Sequence, residues 1–282
     1  MALALSFGSV WSQAEIKADL EQSAVLSPQL RVLKWARTFL KKRIAFEREA
    51  SSADFIATLS SVDCITYVYY VLALASATDV SDFERVVARI RFNGDVQLPN
   101  LLHFTTNSMA RMETEGIVEN VTSTIASGEL LERRVTLGIR QDGSRFIEAP
   151  CGDWNLGASH AIRYIPAEQL DESVTRLRSA DIVLFITAKN GLAHPHLVGH
   201  AGFAYRIKNI PYLLHASQTL VSTTGRRAGV SILRRWDKTR TLISSDSPLW
   251  PLKDYVTENP DLWSGIVVYR CTSRVTSSVS SL

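Results

Sequence analysis

The chain reads as an α+β protein on three observations. Helix-type periodicity dominates the region before Glu132, short β-type apolar runs dominate the region after it, and no repeat, linker or low-complexity stretch divides the two. At 282 residues, 46% hydrophobic and 21% charged, the chain can bury a sizeable core as a single domain, 15–282, with insertions. Its 31 basic and 28 acidic residues leave a net charge of +3, too mild for the basic stripe of a nucleic-acid binder. Three cysteines, at 64, 151 and 271, form no closed disulfide framework and no C-x-x-C pair.

Residues 1–14, MALALSFGSVWSQA, look like the remnant of a secretory signal peptide. Ser12 and Ala14 stand at the minus-three and minus-one positions before Glu15, although no Lys or Arg precedes Lys17. The other reading is the apolar N-terminus of a cytosolic protein. The run is too short to span a bilayer, so no integral membrane segment is expected.

From Ser27, Leu30, Leu33, Ala36 and Leu40 recur at helical spacing. A second helix is expected over Ala53–Leu59. Ser60, Ser61 and Asp63 then supply cap-type residues for a mostly buried helix over Cys64–Ala77. Another helix, capped by Ser81, covers Asp82–Arg91, and Asn93-Gly94 marks a turn. Between Leu98 and Glu132 the alternation is irregular, with a helix expected around Ile117–Ala126. RRVTLGIR reads as a strand, and Pro166 opens a helix reaching Leu177. Strands follow at Ile182–Thr187, Ala201–Ile207, Tyr212–His215, Gly229–Leu233 and Gly265–Arg270. The last residues, CTSRVTSSVSSL, read as a tail outside the core.

Cys64 is the most informative residue, because it falls in the first turn of a buried helix. Amide N–H groups and the helix field there are expected to lower its thiol pKa. The competing reading is an inert buried cysteine. His200 begins one apolar strand and His215 closes the next. If those strands form a hairpin, one imidazole can take the thiol proton while the other fixes its tautomer. Structural, satisfied histidines are the alternative. A metal reading also exists, with His194, His196 and His200 joined by Cys64 or Asp181, but these residues form no H-E-x-x-H helix. Trp154 and Trp263 are candidates for lining a cleft.

These residues together resemble the NlpC/P60 cysteine peptidase superfamily. The resemblance rests on Asp63-Cys64 opening an apolar helix, then ADIVLF at 180–185, GHAGF at 199–203 and LHAS at 214–217. DCITYVYYVLAL at 63–74, IRFNGDVQLPNLLHF at 90–104, the segment 166–187 and GIVVYR at 265–270 narrow it to the DUF1460 family of N-acetylmuramoyl-L-alanine amidases. The likeness covers about residues 50–270 in order of occurrence. Two positions depart from the family pattern: Tyr69 stands for an acidic residue and Leu101 for an arginine.

The resemblance implies a papain-like core in which the cysteine-bearing helix packs on an antiparallel sheet. It implies Cys64 as nucleophile, His200 as base and His215 as its orienter, with Asp63 capping and orienting the helix. His103, Trp154 and Tyr69 would border the substrate cleft. The implied reaction cuts the amide between N-acetylmuramic acid, anhydro-ended or not, and L-alanine in peptidoglycan fragments, without metal or organic cofactor. Cleavage within the stem peptide, or a catalytically dead cell-wall binder, are the alternatives. A bacterial envelope or periplasmic location would follow, with the cytoplasm or delivery into a rival cell as the others.

Overall fold

The computed structural model describes residues 4–6, 11–42, 44–46, 56–139, 143–145, 152–153, 156–188, 197–221, 225–235, 241–242 and 248–272. In chain order these form β1 (Ala4–Ser6), α1 (Gln13–Ser23), α2 (Pro28–Lys42), β2 (Ala45–Phe46), β3 (Ile56–Thr58), β4 (Ser61–Val62), α3 (Cys64–Ser76), α4 (Val80–Arg91), α5 (Thr105–Thr114), β5 (Val118–Asn120) and α6 (Thr122–Ile125). Then come β6 (Leu131–Thr136), β7 (Ser159–Pro166), α7 (Leu170–Ser173), β8 (Ile182–Thr187), β9 (Val198–Ile207), β10 (Ile210–Val221), β11 (Gly225–Ile232), β12 (Thr241–Leu242), α8 (Leu252–Thr257) and β13 (Trp263–Cys271). The expected α+β class is what the chain adopts.

The main sheet runs β11-β10-β9-β8-β13-β7-β6, with every neighbouring pair antiparallel. Alternation along each strand sends its side chains to two cores. Ile182, Leu184, Ile186, Ala201 and Phe203 face the layer of α1–α5, whereas Val183, Phe185, Ala204 and Ile266 face the short elements around α7 and α8. Helix α3 is apolar all round because it is the middle of the first layer. It packs on α2 and α4 at its sides and on β9 and β10 below.

Three sequence expectations are corrected. Ile56–Thr58, expected as helix, is a strand paired in parallel with β1. A helix of seven residues has few internal hydrogen bonds of its own, and the edge pairing outcompetes it. Ile117–Ala126 is not one helix but β5 followed by the single turn α6. Asn120 Oδ1 accepts the Thr122 N–H at 3.0 Å, an Asx turn that breaks the segment in two. The helix from Pro166 to Leu177 is a chain of short pieces, with α7 flanked by 3₁₀ turns at Ala167–Gln169 and Val174–Arg176.

Residues 11–14 belong to the packed structure. Ser12 caps α1 in a reciprocal capping box with Glu15. Trp11 is 4% exposed, donates its indole N–H to Leu59 O at 2.8 Å and packs on Trp35 and Phe39. Trp11→Ala is expected to cost about 3–5 kcal/mol of stability. An unchanged urea midpoint would show that this packing contributes nothing.

Asp181 is fully buried and makes a two-point ion pair with Arg270, at 2.8 Å for each contact, while also accepting the Arg178 N–H. It thereby ties the start of β8 to the end of β13. Asp181→Ala leaves the guanidinium without its anion and is expected to cost about 3–5 kcal/mol. A midpoint shift matching a surface substitution would contradict that.

Candidate active site

Asp63 is the N-cap of α3. Its Oδ1 accepts the N–H groups of Ile65 and Thr66 at 3.0 and 2.8 Å, and Thr66 Oγ1 accepts the Asp63 N–H at 2.8 Å. This reciprocal box fixes where the helix begins and so places Cys64 at its first position. The thiol is partly buried. It lies within reach of the backbone N–H groups of Ala201, Cys64 and Ile65.

The histidines come from a tight hairpin. Lys208 and Asn209 join β9 to β10 with φ of 47° and 67°, the double left-handed turn that two-residue hairpins favour. Pairing from Ile207–Ile210 to Phe203–Leu214, continued by one pair, sets His215 opposite Gly202, two residues from His200 on the same face. The rings meet with His200 Nε2 and His215 Nδ1 2.7 Å apart. Gly202 permits this closeness, since a Cβ there would stand 2.7 Å from Leu214 O and 3.1 Å from His215 Cβ. Phe185 and Trp263 hold the His200 ring, at centroid distances of 5.7 and 6.4 Å.

Electrostatics correct one expectation. The Cys64 thiol is pushed up to about 12, not down, because burial and the Asp63 carboxylate outweigh the three N–H groups around the sulfur. Burial brings His200 down to about 4 and drives His215 well below its ordinary value, with His200 adding to the effect on His215. At neutral pH the three groups therefore rest uncharged.

The remaining expected residues are scattered. The His103 N–H donates to Asp153 Oδ2 at 2.7 Å, and its half-buried imidazole is lowered by burial. Tyr69 is buried at 5% exposure within the helix-side core. Trp154, Cys151, His194 and His196 lie outside the described residues. Asp181 is engaged by Arg270, as above, and among the described residues no group of three or more His, Cys, Asp or Glu is placed to hold a metal. Sequence reasoning missed Asp153. Buried at 6% exposure, it accepts from the N–H groups of His103 and Phe104 and from the Asn107 amide, so it fixes the chain where it enters α5. No local pattern announces a partner that comes from 50 residues away.

The candidate site thus consists of a thiol at a capped helix start, within reach of the Ala201 N–H on β9, and two joined imidazoles on the β9–β10 hairpin of the antiparallel sheet. The chain belongs to the AmiA-like family, described as N-acetylmuramoyl-L-alanine amidase-like, whose model matches residues 37–225, and it is an amidase-like hydrolase. Solved structures share the fold. A Legionella pneumophila protein of the DUF1460 family is 18% identical, with a TM-score of 0.66 over 92% of this chain and 94% of that one. An N-acetylmuramoyl-L-alanine amidase from Bacteroides uniformis is 20% identical, with a TM-score of 0.59 over 87% and 99%. A Bacteroides fragilis protein provisionally named a xylanase is 21% identical, with a TM-score of 0.59 over 84% and 99%. No curated protein matches the chain.

Proposed function

We propose that the protein is a cysteine amidase of the NlpC/P60 type, with a papain-like arrangement, that cleaves the bond between the lactyl group of N-acetylmuramic acid and L-alanine in peptidoglycan fragments. The observation that carries this reading is the 2.7 Å bond between His200 Nε2 and His215 Nδ1. It occupies one nitrogen of His200 and leaves Nδ1 as the base. His215 Nδ1 acts as acceptor, so the His200 proton stays on Nε2 and the Nδ1 lone pair is free.

Attack begins with Cys64 Sγ–H and His200 both neutral. The sulfur bonds to the lactyl carbonyl carbon as its proton passes to His200 Nδ1. Ionising either group alone is penalised by burial, but the transfer creates cation and anion together, and each offsets the desolvation of the other. The Cys64 N–H at the start of α3 meets the oxyanion, aided by the helix terminus. The protonated His200 then gives its proton to the L-alanine nitrogen as the C–N bond breaks. Water, deprotonated by His200, hydrolyses the thioester and restores the thiol.

Mass spectrometry of defined muropeptides tests the bond assignment. The expected product is the intact stem peptide with a free L-alanine amine. Products cut within the stem would replace this reading with an endopeptidase of the same site type. The substrate would place the enzyme in a bacterial envelope.

A further inference from the structure

We infer that Trp263 is a positioning residue for His200: its indole fixes the plane of the imidazole and so the direction in which Nδ1 points. The inference rests on the cysteine-amidase reading above. The sequence suggests Trp263 as the wall of a cleft. At 9% exposed it is instead buried, with its face against His200.

A hydrogen bond fixes one atom of a ring, and the plane through that atom can still tilt. The contact of His200 Nε2 with His215 Nδ1 is such a bond. Among the described residues three rings meet the His200 imidazole. His215 stands nearly perpendicular to it at 87° and Phe185 is tilted at 42°, whereas the Trp263 indole lies within 29° of parallel. Of the three, the indole is the one that opposes a tilt with a broad face. Tilting would also lengthen the bond to His215 and release the tautomer which that bond enforces. A base works when held to within about 10–20° of its productive direction.

Two interruptions of the sheet put the indole there. On β9 the register passes from His200 opposite Phe185 to Val198 opposite Ile186, which makes Gly199 an extra residue. On β13 it passes from Gly265 opposite Ile186 to Trp263 opposite Thr187, which makes Ser264 extra. Both bulges flank Ile186 of β8. Regular alternation from Val268 and Ile266 would send Ser264 to their face and Trp263 to the helix side. The bulge reverses this, and Trp263 joins the core of Phe185 and Ile266. Gly199 then makes room for it, since a Cβ there would stand 2.9 Å from Trp263 Cζ3 and 2.7 Å from Thr187 Cγ2. Phe185 and Tyr255 pack on the indole at centroid distances of 5.4 and 5.9 Å. Its N–H is buried without a hydrogen-bond partner, so what Trp263 supplies to His200 is a flat surface rather than a polar contact.

The test uses the full chain with ¹⁵N-labelled histidine, read by long-range proton–nitrogen NMR at pH 7 and assigned with His200→Gln. Wild-type His200 should show one tautomer, protonated on Nε2. Trp263→Leu should move both ring nitrogens towards the average of two tautomers, and Trp263→Phe, which keeps a flat face, should hold them near wild type. Trp250→Leu is the control, because it removes an indole of the same core that packs on Tyr255. It should lower the urea midpoint and leave the His200 signals unmoved. On muropeptides, Trp263→Leu should lower kcat about 10- to 100-fold with KM held within about twofold. A wild-type His200 that already averages tautomers would overturn the positioning role without any variant. So would Trp263→Leu signals like those of wild type, equal effects from Trp250→Leu, or a raised KM at unchanged kcat. Spectra that respond as expected in a protein that cuts no muropeptide would sink the amidase reading and leave the positioning of His200 standing. Cleavage indifferent to Trp263→Leu would sink the positioning role alone.

Discussion

Replacing Cys64 with alanine is expected to lower kcat/KM on muropeptides by about four to six orders of magnitude, as loss of a covalent nucleophile does. Stability should barely move. Alanine is the best helix former, and the Asp63–Thr66 capping box that starts α3 does not involve the cysteine side chain. That combination separates a nucleophile from a buried filler. A second signature follows from the raised thiol pKa. At pH 7 Cys64 should alkylate with iodoacetamide more slowly than a free cysteine, and the rate should climb well above pH 9, since burial and Asp63 hold its proton to about 12. Fast alkylation at pH 6 would show a preformed thiolate paired with charged His200, and would replace the neutral resting site with an ionic one.

Acid should unfold the protein steeply, with the histidine pair as a principal cause. The folded imidazoles are depressed by burial, His200 to about 4 and His215 well below its ordinary value, against roughly 6.5 in an unfolded chain. Below pH 6.5 the unfolded state takes up protons that the folded state refuses. Their contribution is therefore complete above pH 6.5 and is lost as pH falls towards 4. Two such groups change stability by as much as about 2.7 kcal/mol per pH unit, a large share of a typical total of about 5–15 kcal/mol. Urea titrations between pH 7 and 4.5 read this slope directly. His215→Asn should remove part of it and should also cut kcat/KM by about 10²- to 10⁴-fold through loss of the tautomer lock. An acid slope untouched by His200 and His215 substitutions would mean that these rings are not buried neutral.

Much of this site was legible because its signals are local. Asp63 before Cys64 at the head of an apolar run marks a capped helix start, and the successive apolar runs carrying His200 and His215 mark two strands able to pair as a hairpin. The thiol pKa was misjudged because helix position predicts a field, whereas burial and the Asp63 charge are set by tertiary packing and a neighbour's ionisation. Other parts depend on distant partners. Asp153 holds the entry to α5 from 49 residues further along the chain, and Ile56–Thr58 becomes a strand only because Ala4–Ser6 lies beside it. Strand β7 carried a readable signal that went unused. His160, Ile162 and Tyr164 alternate in burial with Ser159, Ala161 and Arg163, the period of a half-buried strand.

The most direct test of cysteine catalysis is rapid-quench intact-protein mass spectrometry during turnover of a muropeptide, followed by peptide mapping. The thioester mechanism predicts a transient gain equal to the muramyl acyl group, located on the peptide containing Cys64 and absent from Cys64→Ala. Turnover at full rate with no such adduct, or with the Cys64→Ala protein still active, would contradict it.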